Sequence, residues 1–473
     1  MAAASDAAPH VLVVPYPARG HMQPLLDLVS LLASRGVRLT VVATPATAHL
    51  LAPLFAAHPA SVRPLSFPSS SSDHDASGPA PVGADIHALA AALRAPLGNW
   101  LLRSQNTGGD SSVAAVLSDF FCGWTQPLAA LAGVPRLMFA PSGLLATAAT
   151  HSLFRRAPGP PIGDAGRAYA VAFPDLPGAP AFPWRQISRM YRSYAEGHGG
   201  EHADAIRDNF LWNLESAGFV CNTCHPLEGA YLDARPLVDL AGKRVYAVGP
   251  AVSVDANDDE SLKKDDDVTE WLDAFPDASV TYVSFGTMMV PPPPHAAALA
   301  AALDRAGTPF VWAASTATLP NGFEDRAAEA GTGLVIRGWA PQAAVLRHRA
   351  TGCFVTHCGW NSVLEAAAAG VPVLAWPVAA DQFFNARIVV KEARVGVAAS
   401  WAGFGAVPDV EHLARLLTDV VVGEDGAGVR ERAKTLAVRV AEAVGEGGRS
   451  RRELDGLVNE LRDLAGRRQD NSP

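Results

Sequence analysis

The chain has 473 residues, 49% of them apolar and 18% charged, enough for two domains of ordinary size with large cores. A formal net charge of −9, with no contiguous basic run, argues against nucleic acid or an anionic membrane surface as the main partner. The opening MAAASDAAPH lacks the basic and apolar regions of a secretory signal, no uninterrupted apolar run reaches 18 residues, and five cysteines make no disulfide framework.

A cytoplasmic protein without a membrane span is therefore expected. Cys221 and Cys224 form one CxxC with no second ligand pair, which points to a structural role and to no metal.

In chain order, HVLVVPY is a short β-branched apolar run and reads as a buried strand. PARGH reads as a turn, and MQPLLDLVSLLASR carries leucines at helical spacing up to Gly36. VRLTVVAT is the next strand, which completes a strand–helix–strand unit and implies a parallel sheet. Residues 66–85 are a serine-rich polar stretch, read as a loop near a ligand mouth. Its Asp73-x-Asp75 has no apolar strand before it and is not read as a metal motif. VAAVLSDFF ends a further strand at Asp119.

Residues 251–268 are acidic and poor in large apolar side chains, the composition of a linker. They divide a first domain (1–250) from a second (269–455) and a closing helix (456–473). The alternation resumes with SVTYVSFGT, HAAALAAALDRAG, PFVWAAS, GLVIRGWAP, GCFVTHCGWNSVLEAAAAG and VPVLAWPV.

Within the second domain, His357, Trp360, Asn361, Ser362 and Glu365 crowd together between a strand and a short helix. In open α/β sheets the carboxyl ends of strands are where ligands bind, and a helix N-terminus suits a phosphate or pyrophosphate. Gly359 lets backbone approach closely, and Glu365 is an acceptor placed for a ribose hydroxyl pair. Trp339 offers a platform for a flat base with Gln342 beside it, while Asp381 and Gln382 suit sugar hydroxyls. Taken singly, each residue has an ordinary structural explanation, such as a core Trp or an N-capping Asp. Together they read as a nucleotide-sugar site.

The ungapped segment Trp339 to Gln382, WAPQAAVLRHRATGCFVTHCGWNSVLEAAAAGVPVLAWPVAADQ, resembles the plant secondary-product glycosyltransferase box. YPARGHMQP near the N-terminus is also similar to that family. The resemblance implies an α/β fold of two Rossmann-like domains facing across a cleft (GT-B type), with the last helix packed back on the first. It implies that Trp339 and Ala340 hold uracil, and that Gln342 and Glu365 hold the ribose. Thr287, His357, Asn361 and Ser362 would hold the diphosphate, and Trp360, Asp381 and Gln382 the sugar. A closing Gln with Trp360 in its place goes with glucose in this family, so UDP-glucose is the expected co-substrate, with no cofactor and no metal.

Transfer to a hydroxyl needs a base. His21 is the candidate, since imidazole can take a proton near neutral pH, and Asp119 at the same sheet edge would orient it. Each could instead act locally, His21 at a helix start and Asp119 as an N-cap. Attack opposite UDP would give a β-glucoside. Phe120, Phe121 and Ala380 are candidate acceptor contacts, with Trp124, Phe182 and Trp184 also near loop positions. A flavonol or related phenolic is the expected acceptor; phenolic acids, terpenoids and hormones are alternatives. Arg19 stands where many relatives carry Gln.

The competing readings are an epimerase or antibiotic transferase of the same architecture, a non-catalytic nucleotide-sugar sensor, and a serine hydrolase. The complete box argues against the first pair, and the presence of both His21 and Asp119 against the sensor. No G-x-S-x-G follows a strand to support the hydrolase. A monomer is expected.

Overall fold

The computed structural model describes residues 8–45, 47–67, 82–107, 112–161, 169–198, 200–251 and 266–470. Asp73, Asp75 and most of the 66–85 and 251–268 stretches lie outside these residues. The chain folds as two units. One comprises 1–225, 229–253 and 447–473, the other 226–228 and 254–446.

The first unit is built on strands β1 (His10–Val14), β2 (Arg38–Ala43), β3 (Val62–Ser66), β4 (Ala115–Asp119) and β5 (Arg136–Ala140). A small antiparallel pair follows, β6 (Ala170–Ala172) with β7 (Ala181–Pro183), and then β8 (Gly218–Cys221) and β9 (Arg244–Ala247). Seven of these strands form one parallel sheet in the order β3-β2-β1-β4-β5-β8-β9. Alternate residues serve opposite faces. Val11, Val13, Ala115 and Leu117 pack under Leu25, Leu28 and Leu32 of the helix Arg19–Ala33, whereas Leu12, Val14 and Val116 pack under Leu93, Leu97 and Leu101. Both faces being covered, β4 is buried at every position, which is why such strands read as continuous apolar runs.

The second unit repeats the plan with β10 (Val280–Ser284), β11 (Phe310–Ala313), β12 (Gly333–Ile336), β13 (Thr351–Thr356), β14 (Val373–Ala375) and β15 (Gly396–Ala398). All are parallel, in the order β12-β11-β10-β13-β14-β15. This is the expected α/β class, two Rossmann-like sheets. Each sheet reverses its strand order once, between β1 and β4 in the first and between β10 and β13 in the second.

Three local expectations need correction. PARGH is not wholly a turn: the helix starts at Arg19, so His21 lies in its first turn. The stretch read as a linker gives way to the helix Asp266–Asp273, whose Leu272 is buried. The closing helix is Arg449–Asp470, longer at its start than read from sequence, and it follows the left-handed Gly447. Its Leu454, Leu457, Val458 and Leu461 join the core of the first unit. Among the described residues no helix is long and apolar enough to cross a membrane.

Candidate functional site

In the second unit, β10 and β13 flank the point where strand order reverses, the position at which open α/β sheets bind ligands. Strand β13 ends at Thr356, and His357–Gly359 turn the chain into the helix Trp360–Ala369. Gly359 is the N-cap. No side chain caps this end and no acidic residue stands in the first turn, so the helix presents its N–H groups and positive potential to an anion.

The turn is tightly made. A Cβ on Gly359 would lie 2.6 Å from His357 Nε2, and one on Gly286, in the loop after β10, 2.8 Å from His357 Cε1. Gly286 also has φ +72°, so glycine is required there twice over. Cys358 is held at φ +62°, a conformation costly for a side-chain-bearing residue, and the buried Asn385 donates to its carbonyl at 3.0 Å. Burial pushes the His357 pKa down to about 4, against a smaller opposing effect from the Ser284 backbone. His357 is therefore neutral near pH 7 in this fold, with one ring nitrogen carrying an N–H.

Gln342, Ser362 and Glu365 come together. The Gln342 amide NH2 donates to Glu365 Oε2 at 2.6 Å and to Ser362 Oγ at 3.0 Å. Burial raises the Glu365 pKa, with the Gln342 bond pulling the other way. Trp339 is 68% exposed in the loop after β12, with Ala340 half-buried beside it. Thr287 is exposed and Asn361 half-buried in the first helical turn.

Trp360, by contrast, is buried. Gln382 is buried too, and its amide oxygen accepts from the N–H groups of Val378 and Ala379, both at 2.8 Å. Any bond from it to a sugar hydroxyl comes from its NH2 group. Asp381 holds an N-cap position without a capping bond, next to exposed Ala380 at φ +53°.

The first unit has its own reversal point, between β1 and β4. The helix after β1 carries His21, and β4 ends in Asp119. His21 Nδ1 lies 3.1 and 3.2 Å from the two Asp119 oxygens. Asp119 is fully buried and also accepts from the Phe121 N–H at 2.8 Å, so it caps the following turn and holds His21 at once. With Nδ1 donating to a carboxylate, the lone pair of a neutral His21 is on Nε2. Rings surround the imidazole: Phe121 stacks at 4.9 Å, with Phe120 at 5.2 Å and Tyr16 at 5.3 Å. Arg19 is exposed at the start of the helix. Phe120 and Phe121 stand beside His21, whereas Trp124, Phe182 and Trp184 are buried core side chains.

Sequence reasoning missed the groups behind these residues. The Phe120 carbonyl accepts from Asn209 at 2.7 Å and Asn213 at 2.8 Å, one helical turn apart. His151 donates from Nδ1 to the Thr147 carbonyl at 2.7 Å and lies 3.2 Å from Asn213. Burial lowers its pKa to about 4, the Thr147 bond opposing and Arg136 assisting. The only signals were polar residues at helical spacing inside apolar runs, as in NFLWN and FFNA.

Comparison with known proteins shows the family of the chain. Residues 252–406 match the family described as UDP-glucoronosyl and UDP-glucosyl transferase. Flavonol 3-O-glucosyltransferase UGT89B1 of Arabidopsis thaliana is 40% identical, with 96% of each chain covered. UDP-glycosyltransferase 89B2 of Stevia rebaudiana is 39% identical over 96% of this chain and 98% of its own. The crystal structure of Arabidopsis thaliana UGT89C1 complexed with UDP-L-rhamnose matches with a TM-score of 0.75 and 31% identity, over 96% of this chain and 99% of that one. With near-complete coverage at such identities, the chain belongs to the plant family-1 UDP-glycosyltransferases, GT-B enzymes that use UDP-sugars.

Proposed function

We propose that this enzyme transfers glucose from UDP-glucose to a hydroxyl of a small aromatic plant metabolite, a flavonol or related phenolic, with inversion at the anomeric carbon. The observation that carries the reading is the contact between His21 and buried Asp119 at a strand-order reversal. Asp119 fixes the tautomer, so Nε2 accepts the acceptor's hydroxyl proton. The hydroxyl oxygen then bonds to the sugar C1 while the C1–O bond to the diphosphate breaks from the opposite side. The N-terminus of the helix Trp360–Ala369, with His357, meets the charge left on UDP. Trp339 stacks on uracil, Gln342 and Glu365 hold the ribose, and Asp381 with the Gln382 amide hold the sugar. The reading needs no metal or cofactor, and a cytoplasmic monomer suffices for it.

The named activity of the 40% identical relative favours a flavonol and glucose. The rhamnose donor bound by UGT89C1 makes UDP-rhamnose the competitor to exclude. The test is a mass-spectrometric assay of the purified protein with UDP-glucose, UDP-galactose and UDP-rhamnose. The acceptor panel contains flavonols, flavones, benzoates and terpenols. A hexose adduct on a flavonol with UDP-glucose alone supports the reading; a deoxyhexose adduct, or none on any phenol, overturns it.

A further inference from the structure

A wholly buried arginine lies behind the His21–Asp119 pair. Arg136, on β5 next to β4, is 1% exposed. Its Nε donates to Ser118 Oγ at 2.7 Å and Thr125 Oγ1 at 2.9 Å, and its Nη1 to Ser216 Oγ at 2.6 Å. Nη2 reaches the backbone carbonyl of Asp119 at 3.4 Å. Every one of these acceptors is neutral. Among the described residues the guanidinium has no ion pair, yet a buried cation without a counter-charge is expensive.

The groups around it identify the counter-charge. Cys122 and His151 face Arg136, and Tyr16, His21 and Cys122 face Asp119. Burial holds the Cys122 thiol far up and His151 far down, so both are neutral near pH 7. Burial likewise raises the Tyr16 phenol, which stays protonated. Arg136 itself is lowered to about 10 by burial, with Cys122 and Asp119 opposing, and so it keeps its charge. Asp119 is the carboxyl group among them.

We propose that Arg136 is a positioning residue for the His21–Asp119 pair, its guanidinium being the buried counter-charge to Asp119 and its fork fixing the end of β4. Ser118, Thr125 and Ser216 hold the fork in place. The inference rests on the proposed role of His21 as base, but its first test does not.

Asp119→Asn keeps an oxygen for the Phe121 N–H and leaves Arg136 without its anion. Its Tm should fall by about 5 °C or more, measured without substrate. A wild-type Tm overturns the counter-charge, whatever the activity. Arg136→Met should lower kcat about 10-fold or more with the KM for UDP-glucose unchanged. It should also move the acid limb of the pH–rate profile up by about one unit, because a cation near the pair is gone. Arg136→Lys, which keeps the charge and loses the fork, should return that limb to its wild-type place with only part of kcat. A wild-type profile in Arg136→Met overturns the proposal. If that variant does not fold, the Asp119→Asn melting comparison decides alone. Full turnover in His21→Ala together with a lowered Tm in Asp119→Asn would sink the base and leave the counter-charge standing.

Discussion

The two units open at the same topological point and furnish it differently. At the reversal of the first sheet the polar groups are a buried carboxylate, a half-buried imidazole and, behind them, a buried guanidinium. At the reversal of the second, the helix end and a neutral His357 offer N–H groups, and the nearby carboxylate, Glu365, is tied to Gln342. The first arrangement suits holding and moving a proton, which needs a fixed tautomer. The second suits receiving an anion, which needs positive potential without a competing acid. The same strand order thus supports either task, and the side chains at the strand ends choose between them.

The sharpest way to break this contrast is His21→Ala. It should lower kcat by about 10² to 10⁴ while UDP affinity, measured by calorimetry, stays at the wild-type value. Loss of UDP binding in that variant would show that the two sites do not divide the work. Gly286→Ala is the reciprocal change. Its Cβ would strike the His357 ring at φ +72°, and the Kd for UDP should rise about tenfold or more. An unaltered Kd would remove His357 from the anion site.

Acid sharpens the comparison further. His151 stays neutral in the fold down to about 4, against an ordinary imidazole value of 6.5. Between those values the unfolded chain binds a proton that the folded chain refuses. Stability therefore rises with pH across the window and is lost as pH falls from 6.5 toward 4, by up to about 3 kcal/mol. Tm measured across that range should fall less steeply in His151→Gln; an unchanged slope would place the acid sensitivity elsewhere. The smallest effect expected is Asn385→Ala. It removes one bond to the strained Cys358 turn and should cost about 1 kcal/mol, read as a drop in Tm of a few degrees.

Much of this was legible in the sequence because parallel strands buried on both faces, such as β4 and β13, spell unbroken apolar runs. The crowding of polar residues after β13 was legible for the same reason, since it interrupts that pattern. What could not be read is the second layer. Arg136 in GVPRLMFA resembles any strand-edge charge until folding sets Ser118, Thr125 and Ser216 around it. The amide oxygen of Gln382 was assigned no partner by its spacing, yet it is spent on its own turn. Trp360, read as facing the sugar, is buried by packing.

The helix Arg449–Asp470 has a consequence for how the chain is made. Its Leu454, Leu457, Val458 and Leu461 belong to the same core as Val11 and Leu25, and each fully buried apolar side chain of this kind contributes about 1.5 to 3 kcal/mol. Arg235 and Arg35 are bound to Glu453 and Asp455 of the same helix. During synthesis most of the first unit emerges before the second and must wait, its sheet lacking part of its cover, until residues 449–470 have left the ribosome. A segment made after the whole second unit completes the core of the first, so a stop codon near residue 448 would leave the first unit unfinished although every residue of the second had been made.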